Sequence, residues 1–140
     1  MALPTHLHLE IVSADRLLVH DDVDEVEIPG SDGYFGVLPG HTPLLALLQV
    51  GELWYRKGAE KVYFSIAFGF AEVQPDRVTI LAEIAEKAEE IDVARAETAK
   101  RRAEEQLARR TIDMDFERAR IELLKSLIRL QVASRARIRS

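Results

Sequence analysis

A change of hydrophobic period near the middle of the chain most constrains its fold. Up to about Ile84, apolar residues recur at every second position in short runs broken by Gly, Pro and Asp. From Ala88 to Leu107, A-E-E-I-D-V-A-R-A-E-T-A-K-R-R-A-E-E-Q-L, they recur every third or fourth position amid dense charge. A pattern with one period does not settle into the other secondary structure. The 140 residues therefore divide into a β unit, residues 1–86, and a helical unit, residues 87–140. The fold class is α+β, with room for one compact core plus an attached supersecondary unit.

In the first half, His6, His8 and Glu10 alternate with Leu7, Leu9 and Ile11, as a strand with one buried face requires. Further short strands are expected at Arg16 to His20, Val23 to Ile28, Tyr34 to Leu38, Leu44 to Val50, Glu52 to Arg56, Lys61 to Ile66, Gly69 to Gln74 and Val78 to Leu81. Turn clusters separate them, among them Pro29-Gly30-Ser31-Asp32-Gly33, Pro39-Gly40-His41-Thr42-Pro43 and Gln74-Pro75-Asp76-Arg77. Short strands at this spacing predict an antiparallel β-sandwich or a barrel.

In the second half Asp92 is placed to cap a helix, and Ala96, Ala99, Ala103 and Leu107 form a nearly all-alanine stripe. Such a seam admits a neighbouring helix closely but buries little area. Arg109 and Arg110 suit the last turn of that helix, and a break is expected around Thr111 to Asp113. A second helix follows through Asp115 and Phe116 to about Ser134. On it Phe116, Ala119, Leu123, Leu127 and Leu130 form one stripe and Ile121, Leu124 and Ile128 another. One antiparallel partner cannot cover both, so the second stripe needs the sandwich or a different neighbour in a different state.

Charge separates along the chain. Residues 1–83 carry thirteen acidic and five basic side chains, net −8, whereas residues 118–140 carry seven basic and one acidic, net +6. The last helix is a cationic rod suited to an anionic ligand or an acidic protein surface. It has no Trp, Tyr or Gly-rich loop, and the acidic remainder repels phosphates, so no nucleic-acid partner is expected. No cysteine is present, which removes thiolate chemistry. The start lacks a basic region followed by an apolar one, and no apolar run is long enough to span a bilayer. Membrane contact is therefore expected only through a partner.

Three strings occur in an order that resembles a known family. G-V-L-P-G-H-T-P-L-L-A from Gly36 to Ala46, G-F-A-E-V-Q-P-D-R-V-T-I-L-A-E from Gly69 to Glu83, and I-D-V-A-R-A from Ile91 to Ala96 are similar to the epsilon subunit of bacterial F-type ATP synthases. The likeness runs from end to end. It implies an N-terminal antiparallel β-sandwich followed by an antiparallel two-helix hairpin. The implied job is that of a non-catalytic central-stalk subunit: the sandwich holds the gamma subunit to the c-ring and couples rotation, and the mobile hairpin inhibits ATP hydrolysis by reaching the catalytic alpha and beta subunits. The expected location is the cytoplasmic face of the plasma membrane, as a peripheral protein. Partner contacts are expected at Tyr34, His41 and Thr42 on the sandwich and at Arg118, Arg120, Lys125 and Arg129 on the cationic helix.

No cofactor is required by this reading, but the same resemblance implies ATP as a regulatory ligand. In some relatives a folded hairpin binds ATP through I/L-D-x-x-R-A, here Ile91-Asp92-Val93-Ala94-Arg95-Ala96. The implied set is Glu86, Ile91, Asp92, Arg95, Ala96, Arg102, Lys125 and Arg129. Lys125 departs from the arginine of the best binders, losing a planar fork of donors. The residues alone allow Asp92 to be simply a cap and Arg95 a surface cation. There is no G-x-x-x-x-G-K-[ST] loop, so bound ATP would be sensed and not hydrolysed.

Other chemistry is weaker. His6-x-His8-x-Glu10 offers three metal ligands on one strand face, but same-face neighbours diverge and no partner ligand follows, which leaves an exposed polar face and no metal site. His41 lacks a nucleophile to serve, so no catalytic residue is assigned. Trp54 and Tyr55 are expected in the core, and Asp21-Asp22-Val23-Asp24-Glu25 as a solvated turn and strand edge. The competing assignment is a freestanding β-sandwich binding module or small metal enzyme with accessory helices.

Overall fold

The computed structural model describes residues 3–109 and 115–139. Arg110 and the expected break at Thr111 to Asp113 lie outside the described residues. Eight strands form the first part: β1 (Leu7–Val12), β2 (Leu17–Val23), β3 (Glu25–Gly30), β4 (Gly33–Val37), β5 (Leu44–Leu48), β6 (Gly51–Lys57), β7 (Glu60–Gln74) and β8 (Arg77–Lys87). They make one mixed sheet in the order β2-β1-β8-β7-β5-β3-β4, with β6 joining β3 to β7. Every pairing is antiparallel except β1 with β8, which run parallel.

The sheet closes into a sandwich because β7 changes partner along its length. From Glu60 to Ile66 it pairs with β6, and from Gly69 to Val73 with β5. The two expected strands Lys61 to Ile66 and Gly69 to Gln74 are thus one strand with a bend, since β8 stays paired on both sides of it, Ala67 with Ile84 and Gly69 with Ala82. The bend uses positive backbone angles at Phe68 (φ 61°) and Gly69 (φ 118°), a region glycine enters without penalty and phenylalanine does not. A Cβ at Gly69 would lie 2.0 Å from the Leu81 carbonyl oxygen, so the ladder approaches there closer than any side chain permits. Inside the sandwich, Leu7, Leu9, Ile11, Ile28, Leu53 and Ile66 are wholly buried, and the buried–half-buried alternation of β1 is the one its sequence predicts.

Trp54 is half-buried rather than in the core, with the Lys61 ammonium 4.2 Å from its ring centre. Tyr55 does pack against the core and stacks on Phe64. The acidic run is part of β2 and β3, where Asp21 pairs with Lys57 and Glu25 with Arg56.

A 3-10 turn, Ala88–Glu90, leads from β8 into α1 (Val93–Arg109), and α2 (Phe116–Arg139) follows. Asp92 caps α1 as expected, its Oδ1 accepting from the Arg95 N–H at 3.1 Å, and Asp115 caps α2 through the Arg118 N–H at 3.0 Å. Val93, at the start of α1, packs against the cluster that contains Val132 and Ala133, near the end of α2, so the two helices run antiparallel. α1 rests chiefly on α2, and α2 rests on β6 and β7.

The leucine stripe expected on α2 is not what it buries. Ala119, Ser126, Val132 and Ala133 are buried, whereas Phe116, Leu124 and Leu127 are exposed and Leu123 and Leu130 only partly covered. Ala96 and Ala103 on α1 are buried, and a close-approaching alanine face is matched best by small residues opposite, with the leucines displaced to the flanks. Ser126 satisfies its hydroxyl within its own helix, donating to the Glu122 carbonyl at 2.8 Å. A buried methyl contributes roughly 0.8 kcal/mol against about 1.5 to 3 for a leucine, so this hairpin holds more weakly than its length suggests.

Replacing Gly69 by Ala should destabilise the chain by more than about 2 kcal/mol, since it adds positive-φ strain to a backbone clash. Denaturant unfolding measures this, with Gly58→Ala as the control for positive φ without a clash.

Candidate functional site

Among the described residues, three ion pairs fasten the helical part to the sandwich. Arg129 on α2 donates from Nε and Nη2 to the two carboxylate oxygens of Glu86 on β8, at 2.7 and 3.2 Å. One and a half turns on, Arg135 reaches Glu52 on β6 at 3.1 and 3.3 Å, Gln131 donates to the same carboxylate at 3.2 Å, and the Arg135 guanidinium lies 5.2 Å from the centre of the Tyr63 ring. Glu52 is only 6% exposed, so its charge depends on these partners. The third pair joins Arg16, just before β2, to Glu90 in the 3-10 turn through two bonds of 2.8 and 3.0 Å. The hydrogen bonds from Arg16 hold Glu90 below the usual carboxylate range. A depressed carboxylate stabilises the fold above its unfolded value and loses that contribution as pH falls through its folded one, so this tether is intact at neutral pH and fails only in acid.

The expected nucleotide residues divide. Glu86, Lys125 and Arg129 line one cavity of about 200 Å³ between sandwich and hairpin, together with Ala99, Glu122 and Ser126. Arg95 and Arg102 are exposed on α1, one turn on either side of Ala99, and are not among the residues that line the cavity. Ile91 is instead buried against Val132 and Ala133, Ala96 is buried between the helices, and the Asp92 carboxylate is engaged in the cap. The cavity is smaller than the 300 to 1,000 Å³ typical of ligand pockets, and the Glu86–Arg129 pair closes one side of it. Lys125 also points at the Phe68 ring, 5.9 Å from its centre, so the β7 bend presents a side chain to α2.

On the sandwich, Tyr34 is half-exposed on β4, and its hydroxyl accepts from the Glu52 N–H at 3.0 Å. His41 and Thr42 lie in the loop between β4 and β5, Thr42 exposed and His41 tied by its Nδ1 to the Thr42 carbonyl at 2.6 Å. Arg118 and Arg120 are exposed near the start of α2, with Arg120 paired to Glu117. These residues do not form one site: the loop, the β4 face and the helix start are separate surfaces.

Sequence reasoning missed an apolar row on the outer face. Leu17, Val12, Leu81, Phe70 and Leu47 are successive lateral partners across β2, β1, β8, β7 and β5, and such partners project to the same side. Leu47 is 68% and Phe70 42% exposed. Val12, Leu81, Phe70 and Leu47 also border an open groove of about 930 Å³. The signal was present in Leu44-Leu45-Ala46-Leu47-Leu48, where both faces of a strand are apolar and one alone can join the core.

A sandwich with such a face, carrying a docked antiparallel hairpin, defines the two-part class of ATP synthase delta and epsilon chains. Family models match it part by part: "ATP synthase, Delta/Epsilon chain, beta-sandwich domain" over residues 6–88 and "ATP synthase, Delta/Epsilon chain, long alpha-helix domain" over residues 89–134. The chain belongs to the family of ATP synthase epsilon chains, and a place in ATP synthesis and ion transport follows from that membership. It is 45% identical to the epsilon chain of Nitratidesulfovibrio vulgaris over 130 residues, 93% of this chain and 97% of the relative. It is 47% identical to that of Herpetosiphon aurantiacus over 133 residues, 95% and 98% of the two chains. A chain of the Euglena gracilis mitochondrial ATP synthase, solved with OSCP, F1 and c-ring, has the same fold at 23% identity, with a TM-score of 0.72 over 99% of this chain and 84% of that one. Among the described residues, no helix is long and apolar enough to cross a membrane.

Replacing Arg129 and Arg135 together by Met should remove about 1 to 3 kcal/mol of docking free energy. Amide exchange should then quicken in α1 and α2 while the sandwich strands keep their protection.

Proposed function

We propose that this chain is a non-catalytic rotor subunit whose sandwich couples a rotating ring to the shaft of its ATP synthase and whose hairpin, when released, restrains ATP hydrolysis. The observation that carries the coupling half is the apolar row from Leu17 to Leu47: a continuous exposed apolar stripe on a paired sheet is a surface built to be covered. Its occupant in this reading is the gamma subunit. The β4 face and the 38–43 loop, with Tyr34, His41 and Thr42, supply the remaining contacts to gamma and the c-ring, and membrane association runs through that ring at its cytoplasmic face.

The regulatory half rests on how the hairpin is held. Small side chains fill its seam, and the cations that fasten it, Arg129 and Arg135, are paired at its edge. Such a unit separates from the sandwich without exposing the sandwich core, which is built from residues 7–85. Released, the basic helix with Arg118, Arg120, Lys125 and Arg129 is complementary to acidic surfaces of the alpha and beta subunits, where charge steers association and exposed Leu124 and Leu127 add apolar contact.

ATP sensing belongs to the same reading. Lys125 and Arg129 bring cationic charge to the cavity beside Ala99, and Arg95 and Arg102 are exposed one turn to either side of it on α1. Phosphates held there by Lys125 and Arg129 would add contacts that only the docked hairpin can make, favouring that form. At about 100 times its dissociation constant a ligand adds about 2.7 kcal/mol to the state that binds it, enough to set the balance of a weakly packed unit.

Titration into a gamma-containing catalytic complex, with hydrolysis recorded, tests all three parts. Leu47→Glu with Phe70→Glu should weaken association at least about tenfold. Removal of residues 88–140 should raise the hydrolysis rate without loss of association, and calorimetry of the isolated chain should register ATP binding that Arg129→Ala abolishes. Undiminished association of the double Glu variant, unchanged hydrolysis after truncation, or no heat at millimolar ATP would each remove the corresponding part.

A further inference from the structure

The polar face of β1 looks unsuited to a metal when β1 is considered alone, because His6, His8 and Glu10 spread apart along one strand. β2 supplies what is missing. In the β1–β2 register His20 stands across from Glu10, and Asp22 across from His8. Donor atoms of His8, Glu10 and His20 thereby lie within 4.8 Å of one another. Both imidazoles direct Nε2 to the same oxygen, Glu10 Oε1, at 3.5 Å from His8 and 3.7 Å from His20. Their rings meet edge to face with centres 4.7 Å apart. His6 takes no part, and its Nε2 faces Asp24 at 3.7 Å.

Behind this trio is a fourth residue in the place an outer partner occupies. His8 Nδ1 lies 3.1 Å from Asp22 Oδ1. A carboxylate can only accept, so His8 donates from Nδ1 in this bond, and Nε2, on the Glu10 side, is the nitrogen available to bind a metal in the neutral ring. A carboxylate behind a histidine in this way fixes the tautomer and raises the basicity of metal-ligating imidazoles.

We propose that His8, Glu10 and His20 form a Zn²⁺ site, with Asp22 orienting His8. Two imidazole nitrogens and one carboxylate oxygen suit zinc and its first-row neighbours and are poor ligands for Mg²⁺ or Ca²⁺. Tetrahedral zinc with bonds of about 2.0 to 2.2 Å sets its ligand atoms roughly 3.4 Å apart. The two separations to Glu10 already approach that value, and His20, whose side chain is 59% exposed, is free to turn and close the third. Three protein ligands leave a fourth position for water. The cation now nearest is Arg77, with Nη1 3.7 Å from Glu10 Oε1, and its half-exposed side chain can withdraw into solvent when a dication takes the carboxylate. The ion would fasten β2, which ends the sheet, to β1. It would also sit one residue pair from the apolar row, since Glu10 precedes Val12 on the same face.

The test uses the full chain without a histidine tag, first titrated with Zn²⁺ against a chromophoric chelator and then loaded with Co²⁺ for visible spectroscopy. The expected result is one ion per chain, d–d absorption of the intensity given by tetrahedral nitrogen and oxygen ligands, and a rise in melting temperature on zinc addition. His20→Ala and His8→Ala should each weaken binding more than about a hundredfold and Asp22→Asn about tenfold, while His6→Ala and His41→Ala leave it unchanged. Far-ultraviolet dichroism confirms that the variants are folded, which their outward-facing positions favour. No saturable binding at micromolar zinc, or binding that survives His20→Ala in a folded chain, overturns the proposal.

Discussion

The close contact between Gly69 and the carbonyl of Leu81 is the constraint on which most of this architecture depends. It lets β7 bend without losing β8, so one strand serves both layers of the sandwich and the core between them is closed by covalent continuity as well as by packing. The same bend turns Phe68 toward Lys125 on α2 and places Phe70 on the outer face beside Leu47. A local backbone requirement therefore positions the seat of the helices and the exposed apolar row on opposite sides of one kink.

The hairpin is held by a different kind of force. Little apolar area is lost to water where alanine meets alanine, so its attachment relies on a few directed ionic contacts and on the cluster of Ile91, Val132 and Ala133. Apolar burial is insensitive to direction, whereas a forked arginine–carboxylate pair fixes register. Arg129 with Glu86 and Arg135 with Glu52 thus fix where α2 lies as well as helping to hold it there. The sandwich, whose core draws on neither helix, keeps its own stability independent of theirs.

Much of this was legible from local pattern. The order of a β part followed by a helical one, the alternation in β1, the cap at Asp92 and the alanine face of α1 are each set by neighbours a few residues away. What was illegible depends on distant partners. The parallel pairing of β1 with β8 brings together segments from opposite ends of the β unit and leaves no trace in either. The buried face of α2 was misassigned because wheel geometry ranks leucine above alanine, while burial there depends on what stands opposite, which for Val132 and Ala133 is Ala88 and Ile91 ahead of α1. The ion pair of Glu52 with Arg135 spans 83 positions and that of Glu86 with Arg129 spans 43; Glu86 and Arg129 were singled out by resemblance, but nothing in the residues announced that they meet. His20 escaped notice for the same reason, since its neighbour Glu10 is a neighbour only across strands.

Glu52 links the β4 face to α2. Its backbone N–H is bonded to the Tyr34 hydroxyl and its carboxylate to Arg135 and Gln131. Were α2 to lift away, as the proposed release of the hairpin requires, a carboxylate now screened by a guanidinium would be handed to solvent near an exposed aromatic ring, and that corner of the sandwich would become more negative. The position of the helices would in this way be felt beyond the carboxylate they cover, by whatever stands opposite Tyr34.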